Sequence, residues 1–317
     1  MTSMKTCRTA IVVCLFVLVF LALPARASQL QLPPETPALL DKIYSFDLDE
    51  AVAAAQRMEK ERPDHPLGYL LESDALWWRI WCISADFKYG MSDARRRAKL
   101  ERDRHYFELA AKVSSLAEAQ IKQRETAEMQ FYAGMADAAA ARLYALRGEN
   151  RNAARAGVHG REHLLRAKAL DPSLADADLG LGLYNYYVDT LSAVARILRF
   201  FMGIPAGSKQ DGVRLLEHAV ADGVLTPNVA RFYLALNLHR YDQQYEKALA
   251  VIGPLVEEYP SNPLFLLARG DLYAKLGRKE KALDCYRTAG ALRVSNEDCQ
   301  ARVQELVRIS IAALGAK

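Results

Sequence analysis

The chain has 317 residues with 42 Lys and Arg against 38 Asp and Glu, a formal net charge of +4. Residues 1–27 carry three of the basic side chains and no acidic one, which leaves 39 basic against 38 acidic groups in the remaining 290 residues. A near-neutral chain with mixed charges excludes a dedicated nucleic-acid binder, which shows a basic stripe on one face.

At the N-terminus, Lys5 and Arg8 precede an apolar run from Ala10 to Leu23, then Pro24, Ala25, Arg26 and Ala27. That order is expected of a secretory leader ending in a small-x-small cleavage site near Ala27. The run has 14 residues, short of the roughly 20 that an untilted membrane-spanning helix needs, so an uncleaved anchor is the weaker reading. Cys14 follows Val12 and Val13 and lacks the small residue of a lipid-attachment site. A short linker (28–36) then leads into the helical part, 37–317, and the mature protein is expected in the periplasm or outside the cell. Cys82, Cys285 and Cys299 remain after the leader. In an oxidising compartment Cys285 and Cys299 can pair, although three buried thiols are the simpler expectation.

Helical periodicity runs through the rest, and no alternating strand pattern occurs. The first elements run from Leu39 to Phe46 and through Ala51, Ala55 and Met58, ending at Pro63-Asp64-His65-Pro66. A later junction, Pro260-Ser261-Asn262-Pro263, has the same form, and both are read as turns that end helices. Trp77 and Trp81 share a helix face and are expected in the core beneath the long helix that follows. Arg95, Arg96 and Arg97 with Lys99, Arg102 and Arg104 interleave with Asp93, Glu101, Asp103 and Glu108, the pattern of a solvated helix face held by i,i+4 pairs.

A third unit, about Thr126 to Pro172, places Gly134 on one helix and Gly160, Leu164 and Ala167 on the next. Their wide spacing predicts helices lengthened by about seven residues apiece, a two-turn extension that keeps the apolar stripe in phase. The fourth unit, about Leu174 to Gly223, has Gly180, Gly182 and Tyr184-Asn185-Tyr186-Tyr187 on one helix and Gly212, Leu216 and Ala219 on the other. Between them lies an insert (190–205) in which Leu191, Val194, Leu198 and Phe201 form an apolar stripe flanked by Arg196, Arg199 and Phe200. Such a stripe serves interior packing, a partner helix or a membrane surface, and packing against Tyr186 and Tyr187 is the expectation.

Toward the C-terminus, Asn228 recurs as Asn262, Phe232 as Leu266, Ala248 as Ala282, Ile252 as Tyr286 and Leu255 as Ala289, each pair 34 residues apart. The second copy carries Leu266, Gly270, Tyr273, Gly277, Ala282, Tyr286 and Ala289, with Arg269 where the pattern has Leu, and so resembles a tetratricopeptide repeat. The pair at 228–294 matches best, and a capping helix (296–314) is expected to start at Ser295 with Asp298 three residues on. The resemblance implies an all-α, right-handed superhelical solenoid of helix hairpins, with the insert in the fourth. The stretch from Leu179 to Ala219 is also similar to a block in the eukaryotic tetratricopeptide-repeat protein 39 and inclusion-body-clearance family, which is associated with lipid droplets and mitochondrial membranes.

Two short motifs suggest chemistry and fail on context. His159-Gly160-Arg161-Glu162-His163 matches H-x-x-E-H, yet its neighbours are packing positions and no third ligand follows. Gly203 to Lys209 resembles a phosphate loop, but the Lys-Ser order is inverted and a helix precedes it; Ser208 with Asp211 reads as a capping box. No catalytic set, metal or cofactor is therefore expected. The expected site is the concave groove, where the first helix of each hairpin presents Trp77, Phe131, Tyr186, Tyr233, Asn237 and Arg240. Tyr233, Asn237, Leu267 and Asp271 stand where a carboxylate clamp needs Lys and Arg, so an apolar or helical segment of a protein partner fits better. The alternative is a peripheral membrane or lipid-associated protein acting through Arg196, Arg199, Phe200 and Phe201.

Overall fold

The computed structural model describes residues 30–84, 101–191 and 203–315. The expected leader, Arg95 to Arg97, and the heart of the insert with Arg196, Arg199, Phe200 and Phe201 lie outside the described residues. No strand occurs among the described residues. The helices are α1 (Thr36–Tyr44), α2 (Leu48–Glu61), α3 (Pro66–Ser84), α4 (Glu101–Gln123), α5 (Ala127–Leu146), α6 (Asn150–Leu170) and α7 (Ala177–Asp189). After the insert come α8 (Lys209–Asp222), α9 (Pro227–Arg240), α10 (Tyr245–Glu258), α11 (Pro263–Lys275), α12 (Lys279–Ala291) and α13 (Glu297–Gly315).

Consecutive helices pair into hairpins, and small residues set how closely they cross. A Cβ on Gly160 would come within 2.9 Å of Gly134 O, and one on Gly212 within 2.7 Å of Tyr186 N and 2.8 Å of Gly182 O. Backbone that close admits no side chain, so the α5–α6 and α7–α8 pairings both require glycine. The expected lengthening is present: α5 and α6 have 20 and 21 residues against 13 each in α11 and α12. The positions 34 apart behave alike, with Phe232 and Leu266, Ala248 and Ala282, Ile252 and Tyr286, and Leu255 and Ala289 all buried. Gly277 ends α11 at φ +72°, in the left-handed region that favours glycine.

The two Pro-x-x-Pro junctions share a capping scheme. Asn262 Oδ1 accepts from Leu264 N at 2.9 Å and Phe265 N at 3.3 Å, and His65 Nδ1 accepts from Leu67 N at 3.2 Å. An imidazole nitrogen that accepts must be unprotonated, and burial together with Arg62 pushes the His65 pKa down. Ser208 Oγ caps α8 by accepting from Asp211 N at 3.2 Å. At α13 the expected cap is corrected: Asn296 Oδ1 accepts from Cys299 N at 3.0 Å, one residue past Ser295, whose side chain instead bonds Asp49. The linker is docked as well, with Leu30 and Pro33 buried.

What the periodicity did not convey is how the hairpins close. Helix α3 reads Pro-Leu-Gly-Tyr-Leu-Leu-Glu-Ser-Asp-Ala-Leu-Trp-Trp-Arg-Ile-Trp-Cys-Ile-Ser, apolar around most of its circumference, and 15 of its 19 residues are buried against 4 of 14 in α2. A helix apolar on all sides belongs in an interior. It packs on α2, α4 and α5 and also on α13, while α5 meets α7, α9 meets α11 and α11 meets α13. Tyr186 of α7 reaches Asn237 and Asp242 at the end of α9, completing a circuit in which the last helix returns to the third. Across it, Trp78 lies 4.8 Å from Phe232 and 5.6 Å from Phe265, and Trp81 5.0 Å from Phe232, between ring centroids.

The closure also corrects the cysteine pairing. Cys82 of α3 is bonded to Cys299 of α13 with their Cα atoms 5.6 Å apart, and Cys285 is a free, buried thiol. Neither the pairing of Cys285 with Cys299 nor three thiols anticipates this, because only the closed circuit brings residues 217 apart into bonding range.

Candidate partner-binding face

The six groove residues named from the sequence fall into two groups. Trp77, Phe131, Tyr186 and Asn237 are 3%, 0%, 0% and 1% exposed, so the open groove expected there is corrected: these side chains are interior, covered when the circuit closes. Phe131 packs on Tyr132 with centroids 5.4 Å apart. Tyr233 and Arg240 remain half-buried, with Tyr187, Leu183, Asp74 and Arg142 beside them in the same class. What remains of the expected groove, termed the crevice, is this set of partly exposed side chains on α3, α5, α7 and α9.

Its floor is one connected network. Arg142 Nη2 donates to Asp74 Oδ1 at 2.5 Å and its Nε to Tyr106 OH at 2.6 Å, while the guanidinium carbon stands 4.6 Å from the Trp77 ring centroid. Tyr106 OH donates onward to Ala139 O at 3.1 Å, and Trp77 Nε1 donates to Tyr233 OH at 3.0 Å. The ion pair keeps some solvent contact, with 19% of the Arg142 and 26% of the Asp74 side chain exposed. Burial opposes the Arg142 charge, but Tyr106, Asp74 and Tyr233 around it more than restore it, and the guanidinium stays protonated well beyond its usual range. Burial, followed by the neighbouring phenols Tyr241 and Tyr233, holds the Tyr187 hydroxyl neutral far above its ordinary value. The crevice therefore combines aromatic rings and neutral hydroxyls with the Arg142 guanidinium, which Asp74 already neutralises, and with Arg240.

Near the insert's C-terminal end the crevice meets a tyrosine cluster. Tyr186, Tyr187 and Tyr241 stand edge to face with centroids 5.8, 5.8 and 6.2 Å apart, and Tyr241 is 45% exposed. Lys209 pairs with Asp242 and lies 5.7 Å over the Tyr186 ring. The insert's stripe was expected against Tyr186 and Tyr187; its first residue, Leu191, is 37% exposed, Val194, Leu198 and Phe201 lie outside the described residues, and Tyr187 meets the Tyr186 and Tyr241 rings.

His163 Nδ1 lies 2.7 Å from Gln130 Oε1, His159 and Glu162 are exposed, and among the described residues no group of three or more His, Cys, Asp or Glu side chains is placed to hold a metal. Leu267 and Asp271 are buried, with Asp271 Oδ1 accepting from Tyr286 OH at 2.6 Å, so those positions belong to the core. No helix among the described residues is long and apolar enough to cross a membrane.

Sequence reasoning missed Asp74, Tyr106 and Arg142 as one network, and Tyr187 as a member of the tyrosine cluster. Arg142 lies in the alanine-rich end of α5 and carries no local signal of its partner 68 residues away.

Fold and face together define an all-helical protein whose hairpins pack in chain order and close around an aromatic interior. No protein-family model matches the chain and no curated protein matches it.

Proposed function

We propose that the chain is an exported, non-catalytic binding scaffold of the tetratricopeptide-repeat type, a right-handed superhelical solenoid that holds an apolar or helical segment of a partner protein. The observation that carries this reading is that Asp74, Arg142, Tyr187, Tyr233 and Arg240 stay partly exposed beside an otherwise buried aromatic interior. Aromatic faces beside satisfied polar groups anchor partner segments at little conformational cost. The 34-residue spacing of equivalent buried positions and the glycine crossings support the repeat type. Export is supported by the leader pattern and by the disulfide, since such bonds persist in oxidising compartments.

The export half is read by intact mass: the protein recovered from an exporting cell is expected to begin at Ser28. A chain still beginning at Met1 and found in the cytoplasm would sink it.

The binding half is read by position. A photo-crosslinking amino acid at Arg240 is expected to form a discrete protein adduct in the native cell that the same group at Arg214, 69% exposed on α8, does not form. Equal adducts at both positions, or crosslinks to lipid alone, would reject the crevice and favour the membrane reading of the insert.

A further inference from the structure

Several of the longest-range contacts in the chain share one offset. Tyr259 OH lies 3.2 Å from Asp41 Oδ1, Asn262 Nδ2 donates to Tyr44 O at 2.8 Å, and Ser261 Oγ donates to Ser45 O at 2.8 Å, across sequence separations of 218, 218 and 216. Cys82 and Cys299 are bonded across 217. A constant offset means that the end of the chain lies over its beginning in parallel register, as one completed turn of a coil lies over its start. The seam runs from the α10–α11 junction on α1 to α13 on α3.

Its members differ in strength. Ser261 and Ser45 meet at the surface, and beside the seam Arg102 of α4 pairs with Asp298 at 3.9 Å with 28% and 72% of their side chains exposed, contacts worth little on their own. The Tyr44 and Tyr259 rings meet at 5.6 Å. The covalent member is different in kind: both of its cysteines are 0% exposed, so the bond is sealed inside the seam that it holds.

We propose that the Cys82–Cys299 disulfide is a latch for the whole solenoid: its formation holds the first turn closed over the aromatic interior, and the dithiol form opens along this seam. Closing converts two thiols and one disulfide of an oxidant, a small-molecule or protein disulfide, into the new S–S bond and the oxidant's two thiols. Two electrons and two protons pass to the oxidant. The exchange needs the seam open, because neither sulfur is in reach of an oxidant or reductant once it is shut. Cys285 stays out of the exchange, buried and with its thiol pKa raised by that burial. What the latch controls is access to Trp77, Trp78 and Phe232, the interior that lies directly behind the crevice. Only this consequence rests on the binding reading above.

Because the helices between residues 82 and 299 stay folded when the seam opens, the bond acts locally, by forbidding the states in which α13 leaves α3. Amide exchange followed by mass spectrometry is therefore expected to show protection in α1 and α13 falling by roughly tenfold or more on reduction. Protection in α5 and α6, away from the seam, is expected to be unchanged. The oxidised wild type is compared with reduced, refolded wild type and with Cys82→Ala/Cys299→Ala; Cys285→Ala serves as the oxidised control. Seam protection retained in the reduced protein, or a loss spread equally over α5 and α6, overturns the latch. If the double variant does not fold, reduced wild type decides the matter through the rate at which Cys82 and Cys299 are alkylated: local opening predicts labelling faster than global unfolding, and labelling at the global rate overturns it. No partner enters this measurement, so a crevice that captures nothing leaves the latch standing, and retained seam protection leaves the crevice standing.

Discussion

Replacing Arg147 with alanine is expected to lower the unfolding free energy by about 3–5 kcal/mol, the scale for breaking a buried ion pair from one side. Arg147 sits at the C-terminal cap of α5, where the helix dipole favours a cation. Its Nε and Nη2 reach Asp103 Oδ2 and Oδ1 at 2.6 and 2.8 Å, and Nη1 donates to Ser84 Oγ at 3.1 Å. The two charged side chains are 2% and 7% exposed, so water does little to replace what the mutation removes. Ser84 and Asp103 flank residues 85–100, and Arg147 ties both ends of that stretch to α5. Arg147→Lys keeps the charge but not the planar fork and is expected to fall between wild type and alanine. Chemical denaturation checks both, and a loss below about 1 kcal/mol for Arg147→Ala would show that the pair is solvated.

Asp176→Ala is expected to cost on the order of 4 kcal/mol, because one carboxylate serves an entire turn. Asp176 is 2% exposed. Its Oδ1 accepts from Leu225 N, Thr226 N and Thr226 Oγ1, each at 2.8 Å, and Val224 N lies 3.1 Å from both of its oxygens. It stands at the N-cap position of α7 without making a side-chain cap bond there; its carboxylate instead organises the start of α9, 50 residues on, where Thr226 makes no side-chain cap bond of its own. Asp176→Asn retains an acceptor oxygen and is expected to cost about half as much. Melting gives the size, and amide exchange at the first turn of α9 gives the place. An alanine variant that melts near wild type with α9 protection intact would show that these N–H groups find water instead.

The two sites illustrate what the sequence makes readable. Gly134, Gly212, Gly277, Ala282 and the Ser208 cap announce themselves through spacing, because each answers a demand made by its own hairpin within a few turns. The 34-residue recurrence likewise marks Phe232, Ala248 and Leu255 as buried, since every repeat presents the same face to its neighbour. Periodicity says which face is apolar and is silent on what covers it. Phe131 was therefore placed on an open groove, and Trp77 both there and in the core, when the remainder of the chain folds over both. The all-round apolar composition of α3 was the available signal, because a helix lining one side of a groove keeps a polar face and α3 keeps almost none. Asp176, Arg142 and the Cys82–Cys299 bond act between elements 50, 68 and 217 residues apart, and no local pattern encodes those distances. Ser295 and Asn296 compete for one cap, and the geometry of the turn chooses between neighbours that composition leaves equivalent.

The 217-residue offset also sets an order of events for a chain that emerges from its N-terminus. Hairpins such as α5–α6 and α11–α12 close over short loops and form quickly, whereas the seam cannot form until residue 299 has appeared. Until then Trp77, Trp78 and Trp81 of α3, made early, wait without Phe232, Phe265 and α13. A newly threaded chain thus carries a sticky aromatic helix for most of its synthesis or translocation, the kind of surface that chaperones exist to shield. The last helix to arrive is the one that ends this exposure, so truncations that remove α13 should aggregate during biogenesis even though every upstream hairpin is intact.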